Sequence, residues 1–255
     1  MGTATQGVAM SPEILLVGAL SGFVQGLSGF AFGLVATSFW AWMMAPQEVV
    51  PLVVMGSLLG QFVSIASVRH HIKVRRVSPF VAGSLFGVPL GAAVLHDLDA
   101  STFRAFVGLG LIAFCALMLR TKVFPKIQAG RPMDAAVGFT SGALAGACGI
   151  GGPPMTLWCS MRNWDTVTQR ATFQSFFIIM QLQVLSIYIW QGLVDLTLIS
   201  TFAAMAPVIM GSSWLGSRVG RRYSDHQFQR MIFLLLLASG VALLAPSASR
   251  FVSTF

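Results

Sequence analysis

The residue types best suited to ligand chemistry concentrate at residues 141–158, SGALAGACGIGGPPMTLW. Gly149, Gly151 and Gly152 leave the backbone bare, so a ligand can approach peptide N–H groups closely. Pro153 and Pro154 have no N–H and push the residue before them out of helical geometry, so a helix arriving there must stop. Pro154 is well placed to begin a new one. The first N–H groups of a restarted helix are unpaired and sit at the positive end of its dipole. Thr156 adds a hydroxyl nearby. Such an arrangement serves the reversible holding of a small anion rather than bond making. Consecutive glycines and prolines harm a helix without improving its packing, which separates residues 149–154 from Gly142 and Gly146. The spacing of those two is equally that of a plain helix-packing face.

Polar side chains on other apolar stretches extend the set: Gln25 and Ser28 early in the chain, Gln61 and Ser64, then Gln174, Ser175, Gln181 and Gln183. Neutral donors can hold an oxyanion without binding it too tightly to leave. The competing use is helix-to-helix hydrogen bonding, which contributes about 0.6 kcal/mol per contact in membranes. That use is assigned to Gln181 and Ser186, and both uses stay open for Gln174 and Ser175. Arg170 either attracts the anion or anchors a loop at the membrane boundary. Every Asp and Glu falls near an expected helix end or loop, so no carboxylate stands mid-membrane as a proton relay. His70, His71, His96 and His226 also lie outside the apolar stretches, leaving a serine no histidine partner and a metal no two-histidine site. Cys115, Cys148 and Cys159 match no zinc or haem spacing and read as buried small residues. No catalytic residue, metal or cofactor is expected, and an enzyme reading lacks its nucleophile and base.

The elements that must position these residues are apolar helices. The chain is 55% hydrophobic and 9% charged, against about 25% charged in a soluble domain. Several runs approach the roughly 17–25 apolar residues that span a hydrocarbon core. A lipid bilayer is therefore the first partner. The net charge of +8 does not point to nucleic acid, because the basic residues cluster between apolar runs, as in Arg69, Lys73, Arg75 and Arg76. Such clusters are topology signals. No basic segment precedes the first apolar run, so a cleaved signal peptide is not expected. Trp40, Trp42, Trp158, Trp164, Trp190 and Trp214 fall near expected helix ends, as interfacial belts do; Trp158 is alternatively a wall of the anion site.

The halves repeat. Ser21, Gly22, Gly26 and Gly29 recur as Ser141, Gly142, Gly146 and Gly149, an offset of 120 (141 minus 21). Leu90, Gly91, Val94 and Phe103 recur as Leu215, Gly216, Val219 and Phe228, an offset of 125 (215 minus 90). Loops 69–76, 120–131 and 217–222 are basic and assigned to the cytoplasm, while loops 96–101 and 191–195 carry only Asp97, Asp99 and Asp195 and are assigned outside. Equivalent loops thus fall on opposite sides, so an all-α chain of two inverted repeats is expected. The first repeat covers 1–125, with a hairpin at 12–45 and helices at 47–68, 77–95 and 102–120. The second covers 126–255, with a hairpin at 132–161 and helices at 167–190, 196–217 and 227–246. Both termini lie outside in this reading. Whether the hairpin arms cross fully or turn back at the midplane stays open, and eight simple spans in parallel halves is the rival.

The paired segments GFVQGLSGFAFG at 22–33 and GALAGACGIGGPP at 142–154, with ATFQS at 171–175, resemble the TauE/SafE family of membrane proteins. The likeness runs over essentially the whole chain and departs at Phe30, Ala31 and Phe32, where further glycines belong. It implies a multi-pass protein of a cell membrane, a bacterial inner membrane, for export or uptake of sulfite or small organosulfur and sulfonate anions, with export expected here; the inverted repeat adds alternating access between the two hairpins. The expected binding residues are Gln25, Ser28, Gly29, Gly149, Gly151, Gly152, Pro153, Thr156, Arg170, Gln174 and Ser175. A carboxylate carrier and a non-transporting scaffold are the alternatives, and pairing as a homodimer is left open.

Overall fold

Proline in the first turn and glycine just past the last one bound the leading arm of each hairpin. A computed structural model describes residues 11–66, 68–120, 126–222 and 233–244. In chain order its helices are α1 (Pro12–Ser28), α2 (Phe32–Trp40), α3 (Pro46–Ile65), α4 (Val74–Asp97), α5 (Ala100–Arg120), α6 (Arg131–Cys148), α7 (Gly152–Met161), α8 (Thr166–Trp190), α9 (Leu196–Arg222) and α10 (Phe233–Leu244). No strand occurs among the described residues. Lys122, Asp225, His226 and Phe228, and residues 227–232 and 245–246 of the expected last helix, lie outside the described residues. Five helices, α3, α4, α5, α8 and α9, are long and apolar enough to cross a membrane.

Both hairpins are real and both second arms are short. α1 has 17 residues and α6 has 18, but α2 has 9 and α7 has 10. At 1.5 Å per residue the second arms reach about 15 Å, half a hydrocarbon core of about 30 Å. The arms therefore turn back inside the layer. In the first hairpin the Trp40 ring returns to Gly18, where an added Cβ would lie 3.8 Å from it. In the second, the Trp158 indole N–H donates to Asp134 Oδ1 at 2.7 Å. Arg162 closes the base of that hairpin, with Nη2 3.7 Å from Asp134 Oδ2 and Nη1 donating to the Ala129 carbonyl at 2.6 Å.

Side-chain bonds give the helix directions. Gln25 meets the Ser57 carbonyl and Gln61 meets the Gly29 carbonyl, so α1 and α3 run parallel. Gln47, at the start of α3, donates to Leu95 and Leu98 at the end of α4, so that pair is antiparallel. α4 and α6 pack parallel along two glycine stripes. Gly83, Gly87 and Gly91 lie on the carbonyls of Ala135, Phe139 and Ala143, while Gly138, Gly142 and Gly146 lie on Phe80, Ser84 and Val88. α1 and α6 thus point in opposite directions. Gly22 and Gly26 of α1 lie in the same manner against Ile209, Ser212 and Ser213 of α9. All five of these hairpin glycines serve close helix packing, the use that their spacing shares with packing faces.

Two tryptophans depart from the belt expectation. Trp40 is fully buried, edge-on to Phe32 with ring centroids 6.2 Å apart. Trp158 is buried between the arms of its hairpin, held by Asp134. Both sit on short arms that turn inward, so proximity to a helix end does not bring them to the lipid boundary. Trp42, in the turn after α2, and Trp190 and Trp214 on helices are exposed.

Candidate functional site

The two helix breaks are built alike at their first step. α1 ends at Gly29, whose φ is +85° and whose N–H donates to the Gln25 carbonyl at 2.6 Å. α6 ends at Gly149, with φ +72° and its N–H on the Ala145 carbonyl at 2.9 Å. A side chain is strained in that left-handed region, which fixes glycine at both places. The breaks then differ. After Gly29 the N–H groups of Phe30 and Ala31 are taken by Ser28 Oγ at 3.3 and 3.1 Å, while Ser28 itself donates to Val24. After Gly149 the chain passes through Ile150 and Gly151, and α7 starts at Gly152 with Pro153 and Pro154 in its first turn. The N–H groups of Gly151 and Gly152 make no hydrogen bond among the described residues. The prolines have none to offer, so this helix start presents two donors rather than four.

The two tips meet. A Cβ on Gly33 would strike the Gly149 carbonyl, and one on Gly152 would come within 3.0 Å of the Phe30 ring. Thr37 Oγ1 donates to the Cys148 carbonyl at 3.3 Å. The positive ends of α2 and α7 and the negative ends of α1 and α6 therefore converge on one point.

α3 and α8 close this point with amides. Gln25 Nε2 donates to the Ser57 carbonyl at 2.7 Å, Ser57 Oγ donates to Gln25 Oε1 at 3.4 Å, and Gln181 Nε2 donates to Ser57 Oγ at 2.6 Å. Gln61 Nε2 donates to the Gly29 carbonyl at 3.0 Å. Between them is a central cavity of about 10 Å³, lined by Gly33, Ser57, Gln61, Gly149, Gly151, Gly152 and Gln181 among others. That is room for about one water. A second cavity, of about 170 Å³, is lined by Val24, Ser28, Phe30, Ala31, Met118, Thr156, Ser160 and Phe233. Phe30 borders both cavities, with its ring edge-on to Phe114 and to Phe173 at centroid distances of 6.3 Å.

A family model described as Sulfite exporter TauE/SafE matches residues 14–243. The chain belongs to that family. No curated protein and no solved structure matches it. The match takes in both hairpins and all five long apolar helices, so this TauE/SafE protein is a multi-pass membrane transporter of a sulfite and anion exporter family, and not an enzyme.

The residues singled out in the sequence fall into three groups in the TauE/SafE chain. Gly149, Gly151 and Gly152 line the central cavity, and Gln25 and Gly29 bond to the Ser57 and Gln61 that complete it. Ser28 and Thr156 line the larger cavity, with the Thr156 hydroxyl donating back to Gly152 at 3.0 Å. The rest lie off both linings. Pro153 is the second residue of α7; Gln174 is buried with Nε2 beside Gly29; Ser175 Oγ donates to its own helix at Ala171; and half-buried Arg170 makes no hydrogen bond or ion pair among the described residues. The cavity-lining roles of Ser57, Phe30 and Gln181 were not legible in the sequence. Gln181 does make the helix-to-helix bond assigned to it, and the residue also lines the central cavity.

Proposed function

We propose that this protein exports sulfite or a small organosulfonate by alternating access, with the anion held where the two broken helices meet. The observation that carries the reading is the convergence of the α2 and α7 starts on one cavity walled by neutral amides. Unpaired N–H groups inside a membrane are tolerated beside protein, water or a ligand, and the dipoles favour a negative one. Gly149, Gly151, Gly152 and Gly29 let the anion reach the backbone; Gln25 and Gln174 orient the surrounding amides; Ser28, Thr156 and Ser175 line or stiffen the path; Pro153 keeps the α7 start open; Arg170 draws the anion in. Opposed directions of α1 and α6 support two inverted halves that rock about this point.

With the basic loops inside, the larger cavity opens toward the cytoplasm of a bacterial inner membrane and both termini lie outside. Its walls come from the first break at Val24, Ser28, Phe30 and Ala31 and from the end of α5, the start of α10 and the second half of α7, the last three of which run to basic loops. Those walls are mainly apolar, which favours a substrate with an organic body over bare sulfite. The test is flux into proteoliposomes. Radiolabelled methanesulfonate and sulfite are expected to cross at least tenfold faster with the wild-type protein than with Gly151→Leu, and several-fold faster than with Gln174→Ala. Equal rates in all three preparations would overturn the reading.

A further inference from the structure

The start of α4 carries cations that the protein itself does not neutralise. Residues 69–76 hold Arg69, Lys73, Arg75 and Arg76, and the sequence has no Asp or Glu between Glu48 and Asp97. Arg76, in the first turn of α4, is half-buried, with its guanidinium 4.9 Å from the centre of the Trp164 ring. Arg162 stands 5.2 Å from the same ring. An indole orients a guanidinium without cancelling its charge, so two of them at one ring still repel each other. Asp134 and Asp165, on the elements packed here, are engaged elsewhere: Asp134 with Arg162 and the Trp158 indole, Asp165 with the Thr168 N–H at 3.0 Å. The Arg76 guanidinium makes no hydrogen bond or ion pair among the described residues. A charged fork of five donors, oriented and half out of water, calls for an anion with several oxygens.

The position says which anion. α4 and α8 are both long and apolar enough to cross a membrane, and the Arg76–Trp164 contact joins the start of one to the turn just before the other. The short helical turn Arg69–His71 packs against α8 as well. Ile72 and Val74 are exposed, as is Phe62 in the last turn of α3, so apolar side chains alternate with Arg69, Lys73 and Arg75. A surface of this composition at the ends of spanning helices lies where hydrocarbon gives way to phosphate headgroups. We propose that Arg76, with Arg69 and Lys73 around it, binds the phosphate of one anionic phospholipid, and that Ile72 and Val74 rest against its acyl chains. Arg104 shows the contrast. It lies 5.5 Å from the Trp42 ring at the opposite end of the bundle and is also half-buried, but the loop beside it carries Asp97 and Asp99. Carboxylates there repel a phosphate instead of leaving a cation to be matched. The lipid site needs neither the transport reading nor either cavity.

The test is lipid retention. Full-length protein purified in mild detergent is mixed with phosphatidylglycerol or phosphatidylcholine and followed by native mass spectrometry at rising collision energy. One phosphatidylglycerol is expected to stay bound at energies that strip phosphatidylcholine. The retained fraction is expected to fall several-fold in Arg76→Gln/Lys73→Gln and to stay unchanged in Arg104→Gln. Because Arg76 packs on Trp164, Lys73→Glu serves as a second variant at an exposed position. It is expected to weaken retention several-fold while its melting temperature without lipid stays within a degree or two of wild type. Equal retention of the two lipids, retention unchanged in Lys73→Glu, or an equal loss in Arg104→Gln would overturn the site. Displacement of the lipid by inorganic phosphate at constant ionic strength would overturn it too, leaving a plain anion site in its place.

Discussion

Ser28 and Phe30 show how much of the first break is held by single side chains. Ser28 Oγ accepts from two peptide N–H groups and donates to a third group one turn back. Ser28→Ala leaves two donors unpaired inside the layer, each costing about 1–3 kcal/mol. A melting temperature lowered by several degrees is expected, with a larger loss than for Ser175→Ala, whose hydroxyl only bonds back within its helix. Equal losses in the two variants would show that Ser28 does not hold the turn. Phe30 stands between the small and the large cavity. Phe30→Ala joins them, and faster flux of bulkier sulfonates relative to methanesulfonate is the expected result. An unchanged size preference would remove Phe30 from the path.

At the scale of helices, packing decides between uses that look identical in sequence. Gly87 of α4 rests on the Phe139 carbonyl of α6. Gly87→Leu has no space to occupy and is expected to cost about 1–3 kcal/mol or to prevent folding. At Gly110, where an added Cβ meets nothing within 4 Å, the same change is expected to leave the melting temperature within a degree or two. Helix starts outside the membrane give a pH signature. Hydrogen bonds from the side chain and then the backbone of Thr168 hold the Asp165 carboxyl below the usual range, and those of Thr102 and Ser101 do so for Asp99. A depressed folded value means stability that is present above the unfolded aspartate value, about 3.9, and lost as pH falls through the lower folded value. The melting temperature should therefore fall on acidification below about pH 4, and less steeply in Asp99→Asn/Asp165→Asn.

Breaks were legible at this scale because Gly and Pro act locally: the bare, ring-locked run at 149–154 ends a helix whatever surrounds it. The glycine at 29 could be read in the same way. Burial of Trp40 and Trp158 could not be read, since it depends on second arms that are half a bilayer long and fold inward. Nor could the convergence of Gln61, Ser57 and Gln181, because it depends on which faces of α3 and α8 meet. Polarity inside an apolar run signalled that something must pair with these residues, but not which partners they would find.

For the whole molecule, the central cavity holds about one water and the larger one about 170 Å³. In this arrangement no polyatomic anion fits between the tips, so an anion held there, as proposed, requires the hairpins to part. Ile150 lines the central cavity and is buried, and the native Cys115, Cys148 and Cys159 are buried as well, so they add little background to thiol labelling. The most direct test is the alkylation rate of Ile150→Cys by a small maleimide in membranes, with and without methanesulfonate. Slow labelling that methanesulfonate slows several-fold further, while a sulfate control leaves it alone, is the predicted result. A rate that methanesulfonate does not change would contradict an anion held where the broken helices meet.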